Sequence, residues 1–182
     1  MPYRSHAHRL QAGAYEAAVK LAVSGGLMGS YYENVWFFYT PVKTAVDAQI
    51  NFDWGTGLLT ETGADYVSVR WSGKVKSQVA ETYTFYVTSD DGSKLWVDNV
   101  PLIERWDTHC NETSATISLR SNVFYSIKME YKEVTGTASA RLSWASASIP
   151  KEPIPASALY YEQHISSSPF AVTVEPGMGS SA

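Results

Sequence analysis

Thr82-Tyr83-Thr84-Phe85-Tyr86-Val87-Thr88-Ser89-Asp90-Asp91-Gly92-Ser93-Lys94-Leu95-Trp96-Val97-Asp98 carries two kinds of signal in one run. From Tyr83 through Thr88, apolar and polar side chains alternate at a period of two, the mark of a strand with one buried face. The residues are aromatic and β-branched types, which suit a pleated surface. Asp90-Asp91-Gly92-Ser93 interrupts the alternation with turn chemistry, and Lys94-Leu95-Trp96-Val97 reads as a second strand. The expectation is a hairpin that turns at the two aspartates.

The pattern spreads outward from there. Tyr66-Val67-Ser68-Val69-Arg70-Trp71 alternates in the same way, as do Thr116-Ile117-Ser118-Leu119 and Tyr125-Ser126-Ile127-Lys128-Met129-Glu130-Tyr131. The last clear case runs over residues 138–144, with Ala140, Leu142 and Trp144 on one face. Asp98-Asn99 reads as a further hairpin turn. Residues 12–23 alternate as Tyr15, Ala17, Val19, Leu21 and Val23 between Ala12-Gly13 and Gly25-Gly26, and a strand is expected there too. Many short strands at this spacing define an all-β sandwich or barrel. Pro150, Pro153 and Pro155 close the sheet region, and one more strand-like run lies at residues 169–174.

Composition narrows the functional classes. Of 182 residues, 45 % are hydrophobic and 18 % charged, which is globular rather than disordered. The net charge of −4 comes with no basic run, so a nucleic-acid surface and a polybasic membrane anchor are set aside. No apolar stretch is long enough for a spanning helix. The single cysteine, Cys110, cannot close an intrachain disulfide and reads as a small, partly buried residue. Asn111-Glu112-Thr113 beside it is an N-glycosylation sequon, with Asn111 as the acceptor. Residues 1–30 lack a signal-peptide core because Arg4, His6, His8, Arg9 and Glu16 interrupt it, so secretion requires a longer parent chain.

Several ordered motifs point to one family. Gly26-Leu27-Met28-Gly29-Ser30-Tyr31-Tyr32, Ile50-Asn51-Phe52-Asp53-Trp54-Gly55, Val67-Ser68-Val69-Arg70-Trp71-Ser72-Gly73, the run 82–98, Arg141-Leu142-Ser143-Trp144 and Ile154-Pro155 with Leu159-Tyr160 together resemble the protective-antigen-type domain. The resemblance implies an antiparallel β-sandwich over residues 26–162, of a kind found in toxins, glycosidases, yeast flocculins and adhesins, many of which bind carbohydrate. Residues 10–19 and 168–177 are similar to the last and first strands of filamin-type immunoglobulin-like repeats. Residues 1–25 then form an N-terminal arm and 163–182 a C-terminal linker, in a modular extracellular or cell-surface protein.

The candidate site is Asp90-Asp91. Adjacent carboxylates are hard oxygen ligands of the kind calcium prefers. Neighbouring side chains in extended backbone point to opposite sides, so both can chelate one ion only if the backbone is reshaped. The resemblance to the lectin members implies a cis peptide between the two aspartates, calcium held by both, and sugar hydroxyls completing its coordination. It also implies a second loop, here Glu133-Val134-Thr135-Gly136-Thr137, where the adhesins place an Asn that this sequence lacks; Glu133 and backbone carbonyls stand in for it. Gly92 is expected to supply free backbone for the turn. Trp106 either stacks on a sugar or caps the core. Arg70, Trp71, Trp96 and Trp144 read as core and core edge. The alternative is that Asp90-Asp91-Gly92 is a turn and nothing more.

No catalytic motif is present, and two adjacent aspartates cannot flank a glycosidic bond, so the expectation is a binding module rather than an enzyme. The expected partners are glycans, with calcium as cofactor. The competing expectation is a spacer or assembly unit of a filament or surface protein whose end strands pair with neighbouring modules or subunits.

Overall fold

The computed structural model describes residues 18–107 and 110–166. The strands in chain order are β1 (Ala18–Ser24), β2 (Leu27–Tyr32), β3 (Lys43–Asp47), β4 (Asn51–Gly55), β5 (Val67–Lys76), β6 (Glu81–Asp90) and β7 (Gly92–Val97). They continue with β8 (Val100–Arg105), β9 (Cys110–Leu119), β10 (Phe124–Glu133), β11 (Ala138–Ala145), β12 (Glu152–Pro153) and β13 (Leu159–Ser166). A 3-10 turn, Ala156–Ala158, precedes β13. The chain divides into two compact units, one of them Ala22–Gln163 and the other made of the two chain ends. Of the end unit, residues 18–21 and 164–166 are described; the expected strand over 169–174 and most of that over 12–23 lie outside the described residues.

The strands form two sheets that pack as an antiparallel sandwich, as the alternation and the family resemblance predict. In the first sheet β5 and β10 pair along their full lengths, from Val67 opposite Glu133 to Lys76 opposite Phe124. On its other edge β5 is shared: β2 covers residues 68–72, and β13 covers Lys74 and Val75. β7 borders β10 and β8 borders β7, while β3 pairs with β2 at an edge. The second sheet runs β12-β11-β6-β9, with β4 also on β11.

This topology corrects one expectation. β6 lies in the second sheet and β7 in the first, so Asp90-Asp91 is not a hairpin turn. It is the crossing from one sheet to the other. The hairpin signal does hold at Asp98-Asn99, where β7 turns into β8 with φ of 54° and 61°, the left-handed pair that a tight two-residue turn requires. Gly25 and Gly26 form the expected break before β2, at φ of 126° and 147°, and both amides donate to the carbonyl of Leu159, at 3.0 and 3.3 Å. Glycine is required at position 26, where a Cβ would meet the Asp47 carbonyl oxygen at 2.3 Å.

The core follows from the period of two. Tyr83, Phe85 and Val87 of β6 and Ile127, Met129 and Tyr131 of β10 are buried on facing strands with Trp71, Leu95 and Leu142. Trp71 is fully buried, and its truncation to alanine is expected to cost about 3–5 kcal/mol. Its indole N–H donates to Asp47 Oδ2 at 2.8 Å, and the Tyr31 hydroxyl donates to the same oxygen at 2.7 Å. Burial and the Asp47 carboxylate push the Tyr31 phenol well above its ordinary range, so it stays a donor. Trp144 is in the core as expected, but Arg70 and Trp96 lie on the opposite side of their strands, half exposed. Alternation places them there: Trp71 and Leu95, their neighbours, take the inward positions.

Candidate functional site

The alternation that buries Tyr83, Phe85 and Val87 continues through Ser89 and ends at Asp90. The Asp90–Asp91 peptide is cis. Beneath it, the buried Ser89 Oγ lies 3.0 Å from the Asp91 carbonyl oxygen and 2.8 Å from Ser93 Oγ, bracing the crossing from the core side. Above it, both carboxylates engage the loop 134–137 between β10 and β11. The Val134 amide donates to Asp91 Oδ2 at 2.8 Å, and the Thr137 hydroxyl donates to Asp90 Oδ2 at 2.7 Å. The loop is held in turn by Asp65, whose Oδ1 accepts from the Gly136 amide at 3.2 Å, and by the Tyr66 amide, which donates to the Val134 carbonyl at 3.2 Å. The two aspartates and the predicted second loop therefore meet at one end of the sandwich.

Glu133 belongs to that site from below. It is the last residue of β10 and follows Ile127, Met129 and Tyr131 on the inward face, so it is fully buried. Its Oε2 is 2.9 Å from the Tyr131 hydroxyl, which donates to the Asp90 carbonyl. The Tyr131 hydroxyl thus lies between two acceptors, the Asp90 carbonyl and Glu133 Oε2. Burial raises the Glu133 carboxyl to about 7, the nearby Asp91, Asp90 and Asp65 charges add to the rise, and the Tyr131 hydroxyl opposes it. Glu133 Oε1 has no hydrogen-bond partner among the described residues, an orphaned buried oxygen directly under the aspartates.

The donor set bears on calcium. Among the described residues no three His, Cys, Asp or Glu side chains converge as a metal cluster. An ion at this place would have carboxylate oxygens from Asp90 and Asp91 and would need neutral oxygens to fill its shell, which suits a cation that binds carbonyls and hydroxyls as readily as carboxylates. Glu133 supports the aspartates through Tyr131 in this arrangement. The orphaned Oε1 and the concentration of negative charge fit a cation.

Gly92 has a role other than the one expected. Its φ is not in the left-handed region; a Cβ there would meet the Trp106 carbonyl oxygen at 2.1 Å. The segment after β8 packs directly over it. Trp106 neither joins the core between the sheets nor stands alone. It packs on Phe37 with ring centroids 5.8 Å apart, and the ammonium groups of Lys94 and Lys132 lie 5.3 and 5.0 Å from its ring. Asn111 is exposed on β9, an edge strand of the second sheet. The side chain of Cys110 lies outside the described residues, as do His6 and His8.

Sequence reasoning passed over the hydroxyl of Tyr131, Asp65 and the aromatic run Trp36-Phe37-Phe38-Tyr39. The place of Tyr131 was recoverable, since it extends the inward register of Ile127 and Met129. The aromatic run carries no period of two, and its lack of period is itself the signal of a loop.

A family model described as the PA14 domain matches residues 24–158. The chain belongs to the PA14 domain family. Among proteins it is similar to is the anti-sigma-I factor RsgI3 of Acetivibrio thermocellus, 45 % identical over 144 residues, which cover 78 % of this chain and 22 % of that protein. A solved anti-sigma factor domain-containing protein is 46 % identical with a TM-score of 0.71, over 75 % of this chain and 48 % of that one. The chain thus spans about a fifth of the first relative and about half of the second. The PA14 sugar-binding domain from an RTX adhesin shares the fold at 19 % identity and a TM-score of 0.60, over 80 % of this chain and all of that one. No helix among the described residues is long and apolar enough to cross a membrane.

Proposed function

We propose that this PA14 domain is a non-catalytic, extracellular carbohydrate-binding module in which Asp90 and Asp91 hold calcium, and that it reads a glycan on behalf of a longer modular protein. The observation that carries the reading is the joint tethering of the two adjacent carboxylates to loop 134–137, with an orphaned buried carboxyl oxygen beneath them. Calcium would neutralise the carboxylates and accept vicinal hydroxyls of a sugar as ligands. Thr137 and the Val134 amide orient the carboxylates, and Tyr131 fixes the Asp90 carbonyl. The sugar-binding title of the RTX adhesin domain supports the ligand class, and the anti-sigma factor relatives, longer than this chain, support a place in a longer protein.

The test is a calcium titration by calorimetry on the chain and on Asp91→Asn, followed by glycan binding with calcium and with chelator. Calcium binding that Asp91→Asn abolishes, with glycan affinity lost in chelator, is the expected result. A chain that takes up no calcium removes the metal, and glycan affinity unchanged by chelator removes its role in recognition.

A further inference from the structure

Loop 33–42, between β2 and β3, presents three large rings to solvent: Trp36 is 63 % exposed, Phe38 60 % and Tyr39 93 %. Soluble proteins scatter single apolar residues over their surface, but three within four positions form a patch that calls for an explanation. The loop is built to hold them there. Asn34 Oδ1 accepts from the amides of Trp36 and Phe38 at 3.1 and 3.0 Å, and its Nδ2 donates to the Phe38 carbonyl at 3.1 Å. Phe37 and Tyr39 sit at φ of 58° and 66°, a conformation that costs energy in residues with a Cβ. The base is closed by the Val42 amide on the Tyr31 carbonyl at 2.8 Å, and Glu33 accepts from the Thr60 hydroxyl at 2.7 Å. Phe37 alone turns inward, onto Tyr32 and Trp106.

That inward residue ties the loop to the aspartate site. Phe37 packs on Trp106, and the Trp106 backbone lies against Gly92, the residue after Asp91. On the other flank the Ser68 hydroxyl donates to the Asn34 carbonyl at 2.6 Å, and Tyr66, two residues earlier, binds loop 134–137 and is itself 59 % exposed. The exposed rings and the two carboxylates share one end of the sandwich.

We infer that loop 33–42 is a stacking platform that extends the Asp90–Asp91 site, so that the domain takes a polysaccharide strand of several contiguous, uncharged sugar units rather than a single terminal sugar. The inference rests on the carbohydrate reading above. The apolar C–H face of a pyranose covers about one aromatic ring, and three rings beside a chelating pair ask for a run of sugars. Three cations around the platform already have carboxylate partners. Arg70 lies 4.3 Å from the Phe37 ring and 2.8 Å from Glu130; Lys132 is 3.3 Å from Asp107, and Lys94 2.9 Å from Glu104. Paired in this way, these three cations do not single out an anionic ligand. The fixed backbone leaves little ordering entropy to lose on binding.

The test uses the whole chain, and the chain with Trp36→Ala and Tyr39→Ala together. Both are run in native gels containing xylan, mixed-linkage β-glucan, galactomannan or polygalacturonate. Oligosaccharides of the retarding polymer, from two to six units, are then titrated by calorimetry. Circular dichroism confirms that the variant, altered only at exposed positions, is folded. The expected outcome is retardation by a neutral polymer, affinity that climbs with oligosaccharide length, and a loss of roughly tenfold or more in the double variant. Calcium uptake stays unchanged in that variant. Retardation by none of the polymers, affinity independent of length, or a variant that binds like the parent overturns the inference. So does a dimer seen by analytical ultracentrifugation and lost in the variant, which makes the loop a self-interface. Aromatic-dependent retention without calcium uptake sinks the metal reading alone and leaves the platform standing.

Discussion

The hydroxyl of Tyr131, from the core face of the first sheet, donates to the backbone carbonyl of Asp90 in the second, so a buried side chain fixes the position of a surface carboxylate. This bond crosses between the sheets where the chain itself passes from β6 to β7. Removing it with Tyr131→Phe leaves the ring packed against Trp54 and Trp71 but strands the Asp90 carbonyl and Glu133. The expected loss is about 1–3 kcal/mol in urea denaturation, the cost of unsatisfied buried polar groups. Calcium affinity measured by calorimetry is expected to fall with it; unchanged values in both measurements would show that the bond does not position Asp90.

Glu133 makes stability depend on pH in a definite direction. Its carboxyl in the folded chain titrates at about 7, above the ordinary value of 4.5. The protonated form is therefore favoured by folding. Its contribution is complete below 4.5 and is lost as pH rises toward about 7. A displacement of this size corresponds to about 3 kcal/mol. In chelator-treated protein, denaturation midpoints should fall between pH 5 and pH 8, and Glu133→Gln should flatten that part of the profile. A parent and variant with parallel profiles would place the titration elsewhere.

Gly92→Ala tests the packing between the segment after β8 and the sheet crossing. The new methyl meets the Trp106 carbonyl at 2.1 Å, and both sides of the contact are backbone. Accommodation requires the chain at Trp106 to move away from the aspartates, at a cost of about 1–3 kcal/mol. Thermal unfolding should report the loss, and protection from hydrogen exchange around Trp106 should drop. A neutral effect on both would mean that this segment is free to yield.

The strands were readable because alternation is a direct imprint of the sheet: β5, β6, β10 and β11 each carry it, and the inward set from Tyr83 to Val87 appears in the core. Asp98-Asn99 was readable because its turn is local. Asp90-Asp91 was misread as a hairpin for the converse reason. Turn residues show that the chain changes direction, but the partner of the next strand is a long-range choice, made here by β10, which takes β7 into the other sheet. The same distinction separates the loop 134–137, found from its place between two strands, from the Glu133–Tyr131–Asp90 relay, which needs two sheets to be seen at once. Trp106 and Trp96 show the limit of residue type as a guide: a tryptophan pays for half-exposure when a cation covers its face, as Lys128 does for Trp96 at 3.8 Å.

Gly25 and Gly26 share the carbonyl of Leu159, so the chain enters and leaves the sandwich through a single doorway. A polypeptide can accept such a body as a pendant, much as a necklace takes a charm, without its own path being lengthened. A pull on both ends of such a body would bear on the bonds near the doorway, and the far end, with its aspartates and aromatic rings, would lie outside that path.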